Sequence, residues 1–452
     1  MDMNLVLQMI LAAVVAAVVY TIIGAAPGAD ETATIAPVTL VLVLSGLQPM
    51  VILSFFISAI IACKLIDAVP VSIAGIPAGV MSTPMVEHAM VLKRYGLTET
   101  SIRKIASGAI IGTLVSVPMS LLLARAIVPF ATVIKEYGAI VFFIGAILLA
   151  LLSKMRWIAL AAILPFALLI QGLRYLYWGV GAVAEGTNIS TSFFLGITIG
   201  PVIVSLFELL NKDIRNNLPR YDKKPILIRK EQQIKSFPNP FKILTKREVA
   251  YSALASMVGS ITFLLSPVGL TTFLGELFAS GIKEPVKKAS MAVSVMEALA
   301  QATYMAGILI PLIALGIPLS PVALGPGNPL FNAPPVYTLE NNIHHLLSGL
   351  DFVWPTLIGA VVASVITYFI TVRYSQQICS FVFKRIPHEA LLGLFLSLAI
   401  MLAFMDAGWI NVIGVLLVGL VSGTLYRMGV NYGVLFMTLY SAPWIIKMLS
   451  AV

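Results

Sequence analysis

Apolar runs long enough to cross a bilayer recur along this chain from one end to the other, and they limit what it can fold into more than any motif does. Leu5 to Ile23 reads LVLQMILAAVVAAVVYTII and Ile410 to Tyr426 reads INVIGVLLVGLVSGTLY, against the roughly 17 to 25 residues that a spanning helix needs. Inside lipid each backbone N–H and C=O must find its partner within the protein, so runs of this length read as helices. Only 11% of the 452 residues are charged and mean hydropathy is +0.98, far from the roughly 25% charge of a soluble chain. The chain is expected to be an all-α polytopic membrane protein with lipid as its surroundings. That many spans argue against an enzyme on a simple anchor. No Lys or Arg precedes the first run, so it reads as a retained helix and not as a secretory signal.

The net charge of +9 invites a nucleic-acid reading, but its distribution points elsewhere. Asn211 to Glu248 carries eleven basic residues against four acidic ones, the bias expected of a cytoplasmic segment. No nucleic-acid partner is expected. Cys63 and Cys379 are isolated in or near apolar sequence and make neither a disulfide framework nor a metal site.

The sequences on either side of that basic segment repeat each other. Pro27 is followed after 48 residues by Gly75-Ile76-Pro77, and Pro267 after 49 residues by Gly316-Ile317-Pro318. The charges of the two copies have opposite bias. Lys93 to Lys104 holds four basic residues, whereas Gly325 to Phe352, in the second copy, holds none; Gly281 to Ala289 holds three lysines, whereas Val43 to Pro49 is uncharged. The N-terminal MDMN is acidic, while its counterpart near Thr245 to Glu248 contains Lys246 and Arg247. Opposite bias at three corresponding places is the signature of an inverted-topology repeat.

The domains that follow are a first transmembrane repeat over residues 1–210, a basic cytoplasmic linker over 211–248, and a second, inverted repeat over 249–452. Each repeat has about seven crossings, an odd number, as inversion requires. The crossings lie near 5–23, 32–47, 50–67, 105–125, 137–153, 157–173 and 190–209, then near 250–267, 269–282, 290–305, 353–373, 389–405, 408–425 and 430–447. The signs work only if the Gly-Ile-Pro regions, roughly 70–92 and 308–326, are broken helices or re-entrant hairpins. The run 269–282 is short for a span, so its partner near 32–47 is also read as tilted or broken.

Non-helical backbone at membrane depth survives only where protein or water satisfies it, so paired breaks point to a central cavity. Half-helix N-termini there favour anions, carbonyls hold cations, and small or hydroxyl side chains admit a ligand to the backbone. The candidate substrate-binding residues are Pro27, Gly28, Gly75, Pro77, Gly79, Ser82 and Thr83 in the first copy, and Thr271, Thr272, Gly316, Pro318 and Ser320 in the second, with Ala78 beside them. The bland alternative is that these are packing residues and kinks.

Ionisable residues within apolar sequence are functional candidates by default. Asp30, Glu31 and Glu297 are candidates for ion coupling, to Na+ or H+. Glu297 has the competing reading of a helix start near Lys287 and Lys288, and Asp30 and Glu31 that of a solvated turn. Lys64 and Asp67 read as an i,i+3 pair at a membrane edge. Glu87 and His88 close the first hairpin, at a cytoplasmic rim. His344, His345 and Glu340 on a polar loop are weak evidence for metal. A membrane-embedded enzyme using Asp30, Glu31, Glu87 and His88 is one alternative function and a channel is another; neither HExxH nor GxSxG occurs to support catalysis. No catalytic residue, metal or cofactor is therefore assigned.

Three segments resemble the large membrane subunit of the tripartite tricarboxylate transporters. They are APGADETATIAPVTL at Ala26 to Leu40, IAGIPAGVMSTP at Ile73 to Pro84, and MEALAQATYMAGILIPLIALGIPLSP at Met296 to Pro321; LGPGNPLF at Leu324 to Phe331 adds a fourth match. Arg94 and Gly96 fall where the family has Arg and Gly after its Ile-Pro. The chain departs from the family at Ala78 to Ser82, where Thr and Pro are lost, at Ala300 and Gln301, which replace asparagines, and at Asp30 and Glu31, where the family has small uncharged residues. The resemblance implies a secondary transporter in the cytoplasmic (inner) membrane that moves a small organic anion such as a carboxylate by alternating access, with an elevator-like motion and an ion gradient. It also implies an extracytoplasmic solute-binding protein and a small membrane subunit as partners. A homodimer stays open, and tricarboxylate specificity does not carry over.

Overall fold

A computed structural model describes residues 2–26, 31–75, 80–153, 155–187, 189, 191–210, 212–213, 238–263, 267–385, 388–430 and 432–450. Helices account for the architecture, and among the described residues there is no strand beyond the single bridge between Thr338 and Asn341. Most of the basic segment lies outside the described residues. Helices stand at every place where a crossing is expected, and among the described residues eight are long and apolar enough to cross a membrane. The chain forms two compact units, each of which takes sequence from both sides of the basic segment.

The first unit contains α1 (Met3–Ile23), α2 (Glu31–Leu44), α3 (Pro49–Ala74), α4 (Val86–Arg94) and α5 (Thr98–Ile127). From the second half of the chain it takes α9 (Lys246–Ile261), α10 (Pro267–Ala279), α11 (Pro285–Ile310) and α12 (Leu350–Arg385). At its centre lie α3 and α11, each with 94% of its spanning window buried, against 33% for α1. Both open on a proline at the first helical position, where the missing N–H costs nothing. Both also run to a glycine in the left-handed region, Gly75 at φ 71° and, after the π-turn Pro311–Leu315, Gly316 at φ 67°. A left-handed residue stops the ladder of carbonyl acceptors, and only glycine takes that conformation without strain. The two Gly-Ile-Pro triplets thus mark the same structural event.

The packing around the central helices repeats as well. On its own side of the chain α3 lies against α1 and α2, as α11 lies against α9 and α10. Each then packs on the long helix of the other half, α3 on α12 and α11 on α5. Glycine makes both of those approaches close: a Cβ on Gly108 or Gly112 of α5 would strike the carbonyl oxygens of Ser294 or Ala298, and one on Gly359 of α12 would strike that of Ser54. The short helices cross over too. The 3-10 turn Asn328–Leu330 lies against α2, and the 3-10 turn Val80–Met85 against α10. With 14 and 13 residues, α2 and α10 are only about 20 Å long, short of a hydrocarbon core of about 30 Å.

Polar groups tie down both breaks. Lys93, near the end of α4, donates its ammonium to the Ile73 carbonyl at 2.6 Å, so the chain leaves α3 at Gly75 and returns beside it. Beyond α11 the His344 Nδ1–H donates to the carbonyls of Leu312 and Ile313 at 3.2 and 3.1 Å, and Asn342 Nδ2 donates to the Gly316 carbonyl at 2.8 Å. These carbonyls, freed by the π-turn and the stop, would be costly in an apolar setting. At the N-terminus of α9, Thr245 and Glu248 form a reciprocal capping box, and Glu248 also accepts from Lys104 and from Ser290 at 2.6 Å. Burial alone would raise the Glu248 carboxyl, but those donors outweigh it and hold the group below the usual carboxylate range.

The second unit contains α6 (Gly138–Leu152), α7 (Arg156–Gly179), α8 (Thr191–Leu210), α13 (His388–Arg427) and α14 (Tyr432–Ser450). Helix α13 bends at Ala407 and Gly408, which separates the two crossings expected there. Asn411 Nδ2 caps the Ala403 carbonyl at the bend, at 2.9 Å, and reaches Ser192 Oγ at 3.0 Å, while Ser192 donates to Asp406. Gly200 and Gly423 bring α8 against the second arm of α13, and Phe194 stacks on Phe436 with centroids 5.0 Å apart.

Candidate functional site

A cluster of charges sits inside the first unit, where the short helix α2 meets the two central helices. Glu31 occupies the first turn of α2, favoured there by the positive end of the helix dipole. Its carboxylate pairs through Oε1 with the ammonium of Lys64 on α3 and accepts through Oε2 from the Tyr304 hydroxyl on α11 at 3.2 Å. Lys64 also pairs with Asp67 at 2.6 Å, one turn further along α3, and its Nζ lies 5.2 Å from the centre of the Tyr304 ring. Glu31, Lys64 and Asp67 are all 1% exposed or less. A charge so fully buried survives only when paired and hydrogen-bonded.

Glu297, Gln301 and Tyr304 follow one another at helical spacing on one face of α11. Glu297 is fully buried, and the charges of Lys64, Asp67 and Glu31 all act on it. Neither of its carboxylate oxygens, and neither polar atom of the Gln301 amide, has a hydrogen-bond partner among the described residues. Buried groups of this kind are nearly always satisfied in folded proteins. Two carboxylates therefore share one ammonium here, and the four polar atoms of Glu297 and Gln301 stand ready for a partner.

The competing readings of these acids separate cleanly. Glu297 is not a helix start: Lys287 pairs with Glu284 at 2.6 Å and Lys288 with Glu276 at 3.5 Å, both ahead of it. The i,i+3 pair of Lys64 and Asp67 forms as expected, but with both residues fully buried. Glu31 is equally buried, which sets aside the solvated turn.

The other sequence candidates fall as follows. Pro27, Gly28, Asp30, Pro77, Ala78 and Gly79 lie outside the described residues, and Thr83 is in the turn Val80–Met85 with its side chain outside them. Gly75 and Gly316 are the two left-handed stops. Ser82 is buried in the turn that contacts α10, Thr271 is buried in α10 without a hydrogen bond to its hydroxyl among the described residues, and Thr272 is exposed. Pro318 is buried, and Ser320 already has work as a cap, donating to the Gly307 carbonyl and accepting from Ala323 N at 3.0 Å.

Glu87 is exposed, and His88 pairs with Glu276 of α10 at 2.6 Å, so Glu31 and His88 have different partners. His345 Nδ1 accepts from the Asn342 N–H, while His344 serves the π-turn. Among the described residues no group of three or more His, Cys, Asp and Glu side chains is placed to hold a metal ion.

Sequence reading missed Tyr304 and Gln301 and set Lys64 and Asp67 aside. The signal for Lys64 was present: KLID interrupts the unbroken apolar run Pro49 to Ala74 well inside both ends. A second signal is the repeat itself, since the offset of 240 residues carries Lys64 onto Tyr304. The central helices of the two halves thus meet in one cluster.

No curated protein and no solved structure is a match for the chain. The sequence model of the tripartite tricarboxylate transporter TctA family matches residues 10–437, nearly the whole length. With its all-helical fold and eight helices of spanning length, the chain is a multi-pass membrane protein that belongs to the tripartite tricarboxylate transporter TctA family.

Proposed function

We propose that the protein is an ion-coupled secondary transporter of the cytoplasmic membrane, moving a small organic anion such as a carboxylate by alternating access. The observation that carries this reading is the buried cluster of Glu31, Lys64, Asp67, Glu297 and Tyr304, built on two central helices that each run to a left-handed glycine stop, one in each half of the chain. Discontinuous helices related by an internal repeat are where such transporters hold solute and ion. The mutual packing of each short helix on the turn of the other half supports an inverted pair. An elevator-like motion, an extracytoplasmic solute-binding protein and a small membrane subunit follow from the family and belong to this reading.

Glu297 is the coupling group. With Glu31 and Asp67 also ionised, the cluster has an excess of two negative charges, and a buried excess of that size draws in a cation, Na+ or H+. In reconstituted vesicles the protein should exchange labelled carboxylate by counterflow, which a channel does not sustain. Glu297→Gln should keep counterflow and lose uphill uptake driven by a sodium or proton gradient. Uphill uptake that persists at the wild-type level in Glu297→Gln would remove Glu297 from coupling.

A further inference from the structure

The Glu31 carboxylate occupies a two-point dock, the ammonium of Lys64 and the hydroxyl of Tyr304. We propose that this dock is a carboxylate subsite for the transported solute and that Glu31 is its tethered occupant, holding the subsite closed until a free carboxylate displaces it. The inference rests on the transport reading above and names a binding element within it.

The dock is built on the rigid part of the unit. Lys64 and Tyr304 belong to the two central helices and are 0 and 6% exposed. Asp67 holds the Lys64 ammonium at 2.6 Å from the same helix, so it positions the cation without leaving with the occupant. Glu31 comes from a different element, the first turn of a helix of 14 residues, just after the Pro27-Gly28 break. One side-chain rotation would take its carboxylate off both donors, and the charge so released must find other partners, which is why the dock stays closed until a free carboxylate takes the place of Glu31.

The groups needed by the rest of a solute are already in line with the dock. Gln301 continues the Tyr304 face of α11, and both polar atoms of its amide are buried without a hydrogen-bond partner among the described residues; Glu297, one turn further on, takes the coupling cation whose charge an incoming carboxylate needs beside it. Unmet buried polar groups are costly, and a solute that meets them recovers that cost on binding. A carboxylate on Lys64 and Tyr304 places the neighbouring atoms of the same small molecule toward the Gln301 amide. An ammonium already neutralised by Glu31 and Asp67 has nothing left for a second external carboxylate, so the subsite takes one carboxylate at a time.

The test is rescue by an untethered carboxylate, and it needs neither the natural solute nor transport. Glu31→Ala leaves the dock empty, and the thermal unfolding of the purified full chain is followed in potassium acetate against potassium chloride at equal ionic strength. Acetate should raise the unfolding midpoint of Glu31→Ala by several degrees in a saturable way and leave the wild type unmoved, because a ligand that binds only the folded state stabilises it by mass action. Adding Tyr304→Phe should cut the acetate effect by at least half. If Glu31→Ala fails to fold, Glu31→Gln serves, with acetate competing against a weaker amide occupant. Equal behaviour in acetate and chloride for the variant that folds, or an equal shift in the wild type, would overturn the subsite. Counterflow by the wild type tests the transport reading separately, so the two failures are distinct.

Discussion

Replacing Lys64 by methionine removes the ammonium that Glu31 and Asp67 share and leaves both carboxylates buried without it. Breaking a buried pair in this way costs about 3–5 kcal/mol. Glu31→Gln is expected to cost far less, about 1–2 kcal/mol, because Lys64 keeps Asp67 at 2.6 Å. Unfolding of the purified variants measures the contrast, and similar losses for both would mean that Asp67 does not hold Lys64 alone. The acids Glu31 and Glu297 were legible in the sequence because charge is rare in apolar runs. Their partner was not, since an i,i+3 Lys-Asp pair looks the same at a membrane edge and at a buried centre until the helices around it are placed. Tyr304 carried no charge to draw attention, and only the repeat offset pointed to it.

At the scale of elements, the helix stops can be separated from ordinary turns. Gly46 and Gly316 both adopt a left-handed conformation, at φ 76° and 67°. A Cβ on Gly46 would meet open space, whereas one on Gly316 would press on the ring of His344, which holds the π-turn carbonyls. Alanine at either position pays the conformational penalty of about 1–2 kcal/mol. Gly316→Ala adds overpacking of about 1–3 kcal/mol and loosens the π-turn. A lower unfolding midpoint for Gly316→Ala than for Gly46→Ala is the expected result, and equal midpoints would leave the stop without its side-chain support. The stops themselves could be read from Gly-Ile-Pro, since glycine and proline punctuate a helix by backbone geometry alone. Asn342 and His344 could not, because they lie 26 and 28 residues after Gly316 and reach it only through the return of the chain. The short length of α2 and α10 was likewise visible in the apolar runs, whereas their exchange of partners between halves depends on packing.

For the whole molecule the open matter is which way each half faces, and side-specific labelling decides it. The two halves build their central helices alike, each with proline at its start, glycine at its stop, its own two helices on one side and the other half's long helix on another. Duplication accounts for that likeness; inversion rests on charge. The segment after the first break carries Lys93, Arg94, Arg103 and Lys104, and the loop after the second, Gly325 to Phe352, carries no Lys or Arg. Basic loops tend to stay in the cytoplasm, so two like-built halves with opposite loop charge are expected to face opposite ways. Tyr95 is 61% exposed and Glu340 is exposed, which makes them suitable single-cysteine positions in a background with Cys63 and Cys379 replaced by serine. In sealed right-side-out vesicles a membrane-impermeant maleimide should label Glu340→Cys and spare Tyr95→Cys until the membrane is opened. Labelling of both from one side would mean that the halves run parallel, and the cluster of Lys64 with Tyr304 would then need a different account from the meeting of two inverted copies.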